Sequence, residues 1–302
     1  MNHRRTVLVA CAAAATILTG ACGQDSAPKE SVSAQPSDTP EPPTYKVKAS
    51  VKTAGSPVLQ RIKGGTITIG TKADQPGLSY VDPATGKRSG FDIEIARMIA
   101  ADLGFDNDHI RWKSVPTGDR ETEIANGGVD LYVGTYTIND ARKKVVAFAG
   151  PYYIAGQDLL VRRNSDINGP QSLRGRRVCS AVGSTSLERV KTEYGVTDAD
   201  GRQGYQVCVK DLLAGKVDAV TTDDAILTGY LAEAPGKMRL VGIPFTEEPY
   251  GVGLMKGDHV LRAAVNAALE AHEINGDWQQ AYDATLGLSG VPAPEVPPID
   301  HH

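Results

Sequence analysis

Two threonines and an arginine follow an apolar segment of the sequence. Thr135 and Thr137 come directly after residues 129–133, and Arg142 lies five residues further on. A strand buried on both faces stays apolar, whereas ligands of α/β sheets bind beyond the carboxyl ends of the strands. A cation early in a helix opposes the helix dipole, so Arg142 is best explained there by a carboxylate that it binds. The alternative is a solvent-exposed arginine in the basic run 142–144.

The later part of the chain offers polar groups in comparable places. Ser184 and Thr185 lie between a predicted strand and a predicted helix, where hydroxyl and free N–H groups bind anions. Every helix N-cap has this composition, so the signal is weak alone. Asp223 and Asp224 follow another predicted strand. One of them caps the next helix, and the other is available for a ligand cation such as an ammonium group.

Alternating strands and helices position these residues and indicate an α/β protein with mostly parallel sheets. A helix that ends at a glycine and leads into a Val-Asp strand occurs twice, at 126–131 and at 214–219. Two similar lobes would produce this pattern, and so would a common helix–strand arrangement that simply recurs along an α/β chain. The predicted strands are 66–69, 110–115, 129–133, 158–162, 177–181, 205–207, 217–221 and 250–255, and the predicted helices are 91–103, 119–126, 184–194, 209–215, 260–274 and 278–286.

The N-terminal residues resemble a bacterial lipoprotein signal. Arg4 and Arg5 precede an apolar run too short to span a bilayer, and small residues then lead to Cys22. We expect residues 1–21 to be a signal peptide and Cys22 to carry the lipid. Lipidation at Cys11 and a secretory signal without lipid are the alternatives.

A Pro/Ser-rich segment, residues 22–58, separates the signal from the fold. It contains few apolar residues, so it cannot bury enough surface to offset the entropy of ordering, and we predict a disordered tether. The folded part is expected to begin near Leu59. Residues 291–302 are predicted to form a C-terminal tail.

Two cysteines, Cys179 and Cys208, remain in the folded part. In an exported protein an even pair indicates a disulfide, and two buried free thiols are the alternative. No pair of histidines lies at a spacing that would complete a zinc site with them. We expect neither a metal nor a cofactor.

Composition and motifs narrow the function. The chain has 302 residues and a formal net charge of −4, and it has no basic block, which argues against nucleic acid and anionic membrane surfaces as partners of the fold. The sequence contains no Gly-x-Ser-x-Gly and no His-Glu-x-x-His motif. Binding is therefore favoured over catalysis, although a general acid in the cleft, as in a dehydratase, stays an alternative.

Short motifs from about residue 64 to 287 resemble the amino-acid-binding proteins of bacterial ABC importers, in the branch for glutamate, aspartate or glutamine. Each motif is loose, but their order and spacing are specific. They are Gly70-Thr-Lys72, Gly90-Phe-Asp92, Asn126-Gly-Gly-Val-Asp130, Thr135-Tyr-Thr-Ile-Asn-Asp-Ala-Arg142, Gly150-Pro-Tyr-Tyr153, Val182-Gly-Ser-Thr-Ser186, Asp218-Ala-Val-Thr-Thr-Asp223 and Tyr250-Gly-Val-Gly253. The cysteine pair resembles that of actinobacterial glutamate-binding lipoproteins.

This resemblance implies a two-lobed, type II periplasmic-binding-protein fold whose lobes close on the ligand. The first lobe would comprise residues 59–161 and 250–290, and the second residues 162–249. The chain would cross between them near 161–163 and 245–250.

The resemblance also implies roles for individual residues. The ligand α-carboxylate would be held by Arg142, Thr137 and amides near Thr135 and Thr185, with Ser184 beside them. Asp223 would bind the α-ammonium group. The remaining implied contacts are Lys72 and Arg120 to the ligand side chain and a hydroxyl from Tyr250.

Charge favours an acidic ligand, because Lys72 and Arg120 would leave uncompensated positive charge in the cleft. Asp74 or Asp119 could pair with them instead. Glutamine binders have an aromatic residue in the first loop, whereas this chain has residues 73–77 without one. We therefore expect glutamate, then aspartate, with a glutamine-preferring binder as the alternative.

The implied partners are the permease subunits of an ABC importer. We expect a monomer on the outer face of the cell membrane, held there only by its lipid. A sensor for a membrane signalling partner would use the same cleft and is a further alternative.

Overall fold

The computed structural model describes residues 40–301. Its strands are β1 Ile67–Thr71, β2 Asp74–Gln75, β3 Ser79–Val81, β4 Arg88–Ser89, β5 Ile110–Ser114, β6 Leu131–Tyr132, β7 Ala147–Ala155, β8 Gln157–Arg162, β9 Val178–Ala181, β10 Asp200–Arg202, β11 Ala219–Asp223, β12 Met238–Leu240 and β13 Glu248–Leu254. Its α-helices are α1 Pro57–Ile62, α2 Phe91–Asp102, α3 Arg120–Ala125, α4 Asp140–Lys143, α5 Thr185–Thr192, α6 Tyr205–Leu213, α7 Asp224–Glu233, α8 His259–Ile274 and α9 Asp277–Asp283.

Two five-stranded sheets form the frame of the molecule, in the orders β5-β1-β6-β13-β7 and β10-β9-β11-β8-β12. The first three strands of each sheet run parallel. The fourth, β13 or β8, is antiparallel to both of its neighbours. The predicted α/β class is confirmed. The sheets are mixed because each contains one antiparallel strand, β13 or β8, that follows directly in the chain after a strand of the other sheet.

Each sheet is the centre of one lobe. Helices α2, α8 and α9 pack together beside the first sheet, and α5, α6 and α7 pack on the second. A small sheet of β2, β3 and β4 belongs to the first lobe. Within residues 40–301, no helix is long and apolar enough to cross a membrane.

The chain passes between the lobes at two adjacent points. β7 ends at Ala155 and β8 begins at Gln157, so Gly156 alone separates the two sheets. A Cβ atom on Gly156 would lie 2.8 Å from the carbonyl oxygen of Thr246 on the returning segment, so only glycine permits this close approach. The strand predicted at 158–162 therefore belongs to the second lobe, and the first crossover is at Gly156 instead of 161–163.

One predicted strand, at 205–207, is wrong. Tyr205 begins the helix α6, and the short strand β10 lies before it. Tyr205, Cys208, Val209 and Leu212 are all buried, which is the spacing of one helical face. The apolar face of the helix therefore starts earlier than local β propensity indicated.

The predicted disulfide is confirmed. Cys179 in β9 and Cys208 in α6 are bonded, with their Cα atoms 5.5 Å apart. The bond fixes α6 against the second sheet, and its loop closure contributes about 3–4 kcal/mol by restricting the unfolded chain.

Part of the predicted tether lies on the first lobe. The Tyr45 hydroxyl donates to Glu94 Oε2 at 3.1 Å, and Lys48 Nζ binds Asp102 Oδ2 at 2.7 Å. Ser56 Oγ is buried and donates to Asp258 at 2.6 Å. The prediction of disorder up to residue 58 is therefore wrong for this stretch, because a few polar contacts and Tyr45 anchor it. The signal, Cys22 and residues 23–39 of the predicted tether lie outside the described residues.

Candidate functional site between the lobes

The predicted ligand residues lie where the carboxyl ends of the inner strands of both sheets meet. Lys72 follows β1, Thr135 follows β6, and Asp223 ends β11. Thr137 forms an isolated bridge with Tyr250 of β13. The structure thus brings side chains from four strands to one interlobe cleft.

Arg142 lies at one end of this cleft and is 7% exposed. The side chain of Asn139 caps α4 by accepting from the Arg142 amide at 2.9 Å, which fixes the arginine in the first turn. The guanidinium donates to the carbonyl oxygens of Thr137 at 2.7 Å and Gly183 at 3.1 Å, and Nε lies 3.1 Å from Glu121. Burial and the neighbouring Arg120 lower the pKa of Arg142.

Arg120 lies beside it and is 2% exposed. It donates to the carbonyl oxygens of Thr117, Thr135 and Gly183 at 2.9, 3.3 and 3.3 Å. The ring of Tyr136 contacts both guanidinium groups, with its centroid 4.4 Å from Arg120 Cζ and 5.0 Å from Arg142 Cζ. Sequence reasoning missed Tyr136, although its position between Thr135 and Thr137, just after a strand, indicated a site residue.

The carbonyl of Gly183 connects the lobes, because both first-lobe arginines donate to it. A Cβ atom on Gly183 would lie 2.7 Å from Cα of Gly118 in the first lobe, and its φ is +77°. Glycine is therefore required both for the backbone conformation and for the close contact of the lobes.

Lys72 is 4% exposed and donates to Thr117 Oγ1 at 2.6 Å and to the Val115 carbonyl at 3.3 Å. Burial, and after it the charge of Arg120, lowers the pKa of Lys72. A buried amine beside two guanidinium groups is stabilised by an added negative charge.

Thr135 has a left-handed backbone, with φ of 46°, which is unusual for a β-branched residue. Its hydroxyl donates to Gln75 Oε1 at 3.1 Å. Gln75 is fully buried and was not among the predicted site residues. Such strain is held by surrounding contacts and is common at ligand sites.

At the end of β11, in the second lobe, is Asp223, which is 4% exposed. Its Oδ2 accepts from the Tyr250 hydroxyl at 2.6 Å, and its buried Oδ1 has no hydrogen-bond partner among the residues that the structure describes. Burial, followed by the charges of Glu248 and Asp224, raises its pKa to about 7. Asp224 instead accepts from the Gly156 amide at 3.2 Å, so Asp224 contacts the crossover and Asp223 the cleft.

The hydroxyl groups of Ser184 and Thr185 are engaged within the protein. Ser184 Oγ caps α5 by accepting from the Leu187 amide at 3.0 Å. Thr185 Oγ1 donates to Glu248 Oε2 at 3.0 Å. This part of the second lobe therefore presents backbone groups to the cleft, where sequence reasoning expected hydroxyls as well.

Comparison with known proteins matches residues 67–287 to the bacterial extracellular solute-binding proteins, family 3. The chain belongs to this family. It is 39% identical over 257 residues to the glutamate-binding protein GluB of Corynebacterium efficiens, which covers 82% of this chain and 87% of that protein. It is 36% identical over 217 residues to the glutamine-binding protein GlnH of Bacillus subtilis, covering 72% and 79%.

Solved structures agree with this assignment. An ancestral arginine-binding protein bound to glutamine superposes with a TM-score of 0.69 at 32% identity, over 74% of this chain and 98% of that one. The solute receptor for L-cysteine of Neisseria gonorrhoeae gives a TM-score of 0.71 at 26% identity, over 76% and 94%. The two-lobed, type II binding-protein fold is confirmed, and the chain is a solute-binding protein and not an enzyme.

Proposed function

We propose that the protein captures an acidic α-amino acid, glutamate before aspartate, by closing its lobes, and delivers it to the permease subunits of an ABC importer. The observation that carries this proposal is the charge arrangement of one cleft. The first lobe contributes the buried cations Arg142, Arg120 and Lys72, and the second contributes Asp223, whose buried Oδ1 has no hydrogen-bond partner among residues 40–301.

These two sets of charges match the two charges that every α-amino acid carries. Arg142, with Thr137 and the amides near Thr135 and Thr185, is suited to the α-carboxylate, because a guanidinium and N–H groups bind it with charge-assisted hydrogen bonds. Asp223 is suited to the α-ammonium group, with the Tyr250 hydroxyl orienting its carboxylate. Closure strengthens both contacts, since charges attract more strongly away from water.

The remaining positive charge favours a second carboxylate on the ligand. Glu121 already lies against Arg142, which leaves Lys72 and Arg120 for the ligand side chain. Burying both beside a neutral amide would leave their charges poorly compensated. The similarity to the glutamate-binding protein GluB supports the same choice.

A glutamine-preferring binder is the second candidate, favoured by the similarity to GlnH. A sensor for a membrane signalling partner would use the same cleft. We further propose that the protein is exported through residues 1–21, anchored by lipid at Cys22, and monomeric.

Isothermal titration calorimetry of the full chain with glutamate, aspartate, glutamine, asparagine and arginine tests the ligand. We expect glutamate to bind at least about tenfold more tightly than glutamine, because the difference is one desolvated ionic contact. Tighter binding of glutamine or arginine would contradict the acidic ligand and leave the fold assignment intact.

A further inference from the structure

A polar cluster joins both crossover segments to the helix at the cleft. It consists of Gln157 on the first crossover, Thr246 and Glu248 on the second, and Thr185 and Arg189 on α5. We call these five residues the hinge cluster. Thr185 belongs to the carboxylate-binding set proposed above, and the other four residues have no role in that proposal.

Glu248 is the centre of the hinge cluster and is 1% exposed. Its Oε1 accepts from Arg189 Nη1 at 2.7 Å and from Thr246 Oγ1 at 2.9 Å. Its Oε2 accepts from Thr185 Oγ1 at 3.0 Å. Both oxygens are therefore satisfied, and the buried charge is compensated by one guanidinium, as a stable buried carboxylate requires.

The same arginine also contacts the first crossover. Arg189 Nη1 donates to the side-chain oxygen Oε1 of Gln157 at 2.8 Å, and the backbone N–H of Gln157 donates to Thr246 Oγ1 at 2.9 Å. One side chain of α5 thus binds both segments that connect the lobes. A satisfied buried network of this kind is rigid, so the first turn of α5 is fixed relative to the hinge.

Glu248 also lies near Asp223. It is two residues from Tyr250 in β13, so both side chains are on the same face of the strand, and the Tyr250 hydroxyl donates to Asp223 Oδ2 at 2.6 Å. Gln157 of the hinge cluster is opposite Asp223 in the pairing of β8 with β11, and the charge of Glu248 raises the pKa of Asp223.

The other groups that act on Asp223 are Asp224, the hydroxyl of Tyr250 and the charge of Arg142. Tyr205 on α6 is a further titratable neighbour. Two carboxylates thus add negative charge around Asp223, and Arg142 is the cation that opposes them.

We propose that Glu248 is a positioning residue with two effects: it holds the first turn of α5 against the hinge through Thr185 and Arg189, and it makes capture of the ligand ammonium group depend on release of a proton from Asp223. This rests on the proposed function, in which Asp223 binds that ammonium group. The balance is simple: the protonated carboxyl gives its proton to solvent, and the resulting carboxylate pairs with the ammonium group.

The test is calorimetric titration of the full chain with L-glutamate between about pH 5.5 and about pH 8.5, a range that spans the titration of Asp223. In the parent we expect affinity to fall on the acid side. In Glu248→Gln we expect the midpoint of that loss to move down by about half a pH unit or more, because a like charge near Asp223 has been removed. Affinity at the alkaline end should fall about tenfold, because α5 loses its contacts to the charged group.

Two further variants separate the effects. Glu248→Asp keeps the charge but shortens the side chain, so affinity should fall while the acid midpoint stays near that of the parent. Glu193→Gln is the matched control, because Glu193 contacts the same Arg189 at 3.5 Å but is 60% exposed. It should behave as the parent.

The outcomes are distinct. An unchanged midpoint in Glu248→Gln would overturn the electrostatic effect, and an unchanged affinity in Glu248→Asp would overturn the positioning effect, even where Glu248→Gln fails to fold. Binding by the parent together with either result would leave the proposed function standing. Absence of amino-acid binding by the parent would instead overturn the proposed function and this proposal with it.

Discussion

The two lobes share one sheet plan but place different chemistry at corresponding positions. Strand order and strand direction are the same in both sheets, so β1 corresponds to β9 and β6 to β11. After β1 and β6 the first lobe places Lys72 and Arg142. After β9 and β11 the second lobe places the backbone of Gly183 and the carboxylate of Asp223.

This difference shows how one topology serves a ligand with opposite charges. The first lobe supplies the cationic side chains and therefore most of the specificity for an anion. The second lobe supplies a carbonyl to which both arginines donate, a helix N-terminus and one carboxylate. We infer that the first lobe recognises the ligand and that the second completes the site when the lobes close.

Removing Arg142, the first-lobe side chain proposed to bind the ligand α-carboxylate, should have the largest effect on the affinity for glutamate. Arg142→Ala leaves a buried ligand carboxylate without its partner, so we expect a loss of about 2–5 kcal/mol of binding free energy, measured by calorimetry with glutamate. Lys143→Ala is the control, because its side chain is 44% exposed and its Nζ contacts Asp300 of the tail at 3.4 Å. Near-parental binding by Arg142→Ala would refute the proposal that Arg142 binds the α-carboxylate.

Removing the second-lobe charge should come next. Asp223→Asn loses the partner of the ammonium group, and we expect about 2–3 kcal/mol weaker binding, the range of a charged hydrogen bond. Since burial raises the pKa of Asp223 to about 7, parental affinity should fall as the pH drops below that value and the carboxylate is protonated. The same shift means that the ligand-free protein loses stability as the pH rises from about 4 towards 7.

The variant should therefore lack the acid-side loss of affinity that the parent shows. Calorimetry at several pH values checks this expectation. An acid-side loss that persists unchanged in Asp223→Asn would assign it to another group.

Blocking contact between the lobes should weaken binding without touching the ligand charges. Gly183→Ala places a Cβ against Gly118 and should prevent full closure, lowering affinity for glutamate by about 1–2 kcal/mol in addition to backbone strain. Gly175→Ala is the matched control, because Gly175 has a similar φ of +73° and no atom within 4 Å of its Cβ position. Equal affinities for the two variants would argue against closure at this contact.

The smallest expected effect concerns ligand choice. Lys72→Met removes one cation from the first lobe, and the preference for glutamate over glutamine should fall about tenfold. Lys113→Met, on the neighbouring strand β5, removes a lysine that is 41% exposed and paired with Glu123, and should leave the preference unchanged. If Lys72→Met retained the preference, Arg120 would be the residue that selects glutamate over glutamine.

Residues that follow strands were accessible to sequence reasoning. Thr135 and Asp223 come just after the apolar runs 129–133 and 217–221, where polar side chains contradict burial, and Arg142 is in the helix that follows the first run. The structure brings all three to the interface between the lobes. Glu248 was not accessible in this way, because its partners Thr185 and Arg189 lie on α5, 63 and 59 residues away in sequence. Gln75 was missed for the same reason, since only the fold brings it to Thr135.

Errors in the elements have local causes. Tyr205 was assigned to a strand because three residues cannot display helical periodicity, which appears only when Leu212 is included. The first crossover lies earlier in the chain than the predicted 161–163. Only Gly156 separates β7 from β8, so in the sequence the two strands look like one continuous apolar segment. Tyr45 lies on the first lobe through a single ring and a hydroxyl contact, too little signal to distinguish it from a tether.

The proposed binding mode is best tested by a crystal structure of the protein grown with L-glutamate. We expect one glutamate between the lobes, with its α-carboxylate on Arg142, its ammonium group on Asp223 and its side-chain carboxylate near Lys72 and Arg120. Crystals in which glutamate at saturating concentration left the cleft empty, with Arg142 in solvent, would contradict it.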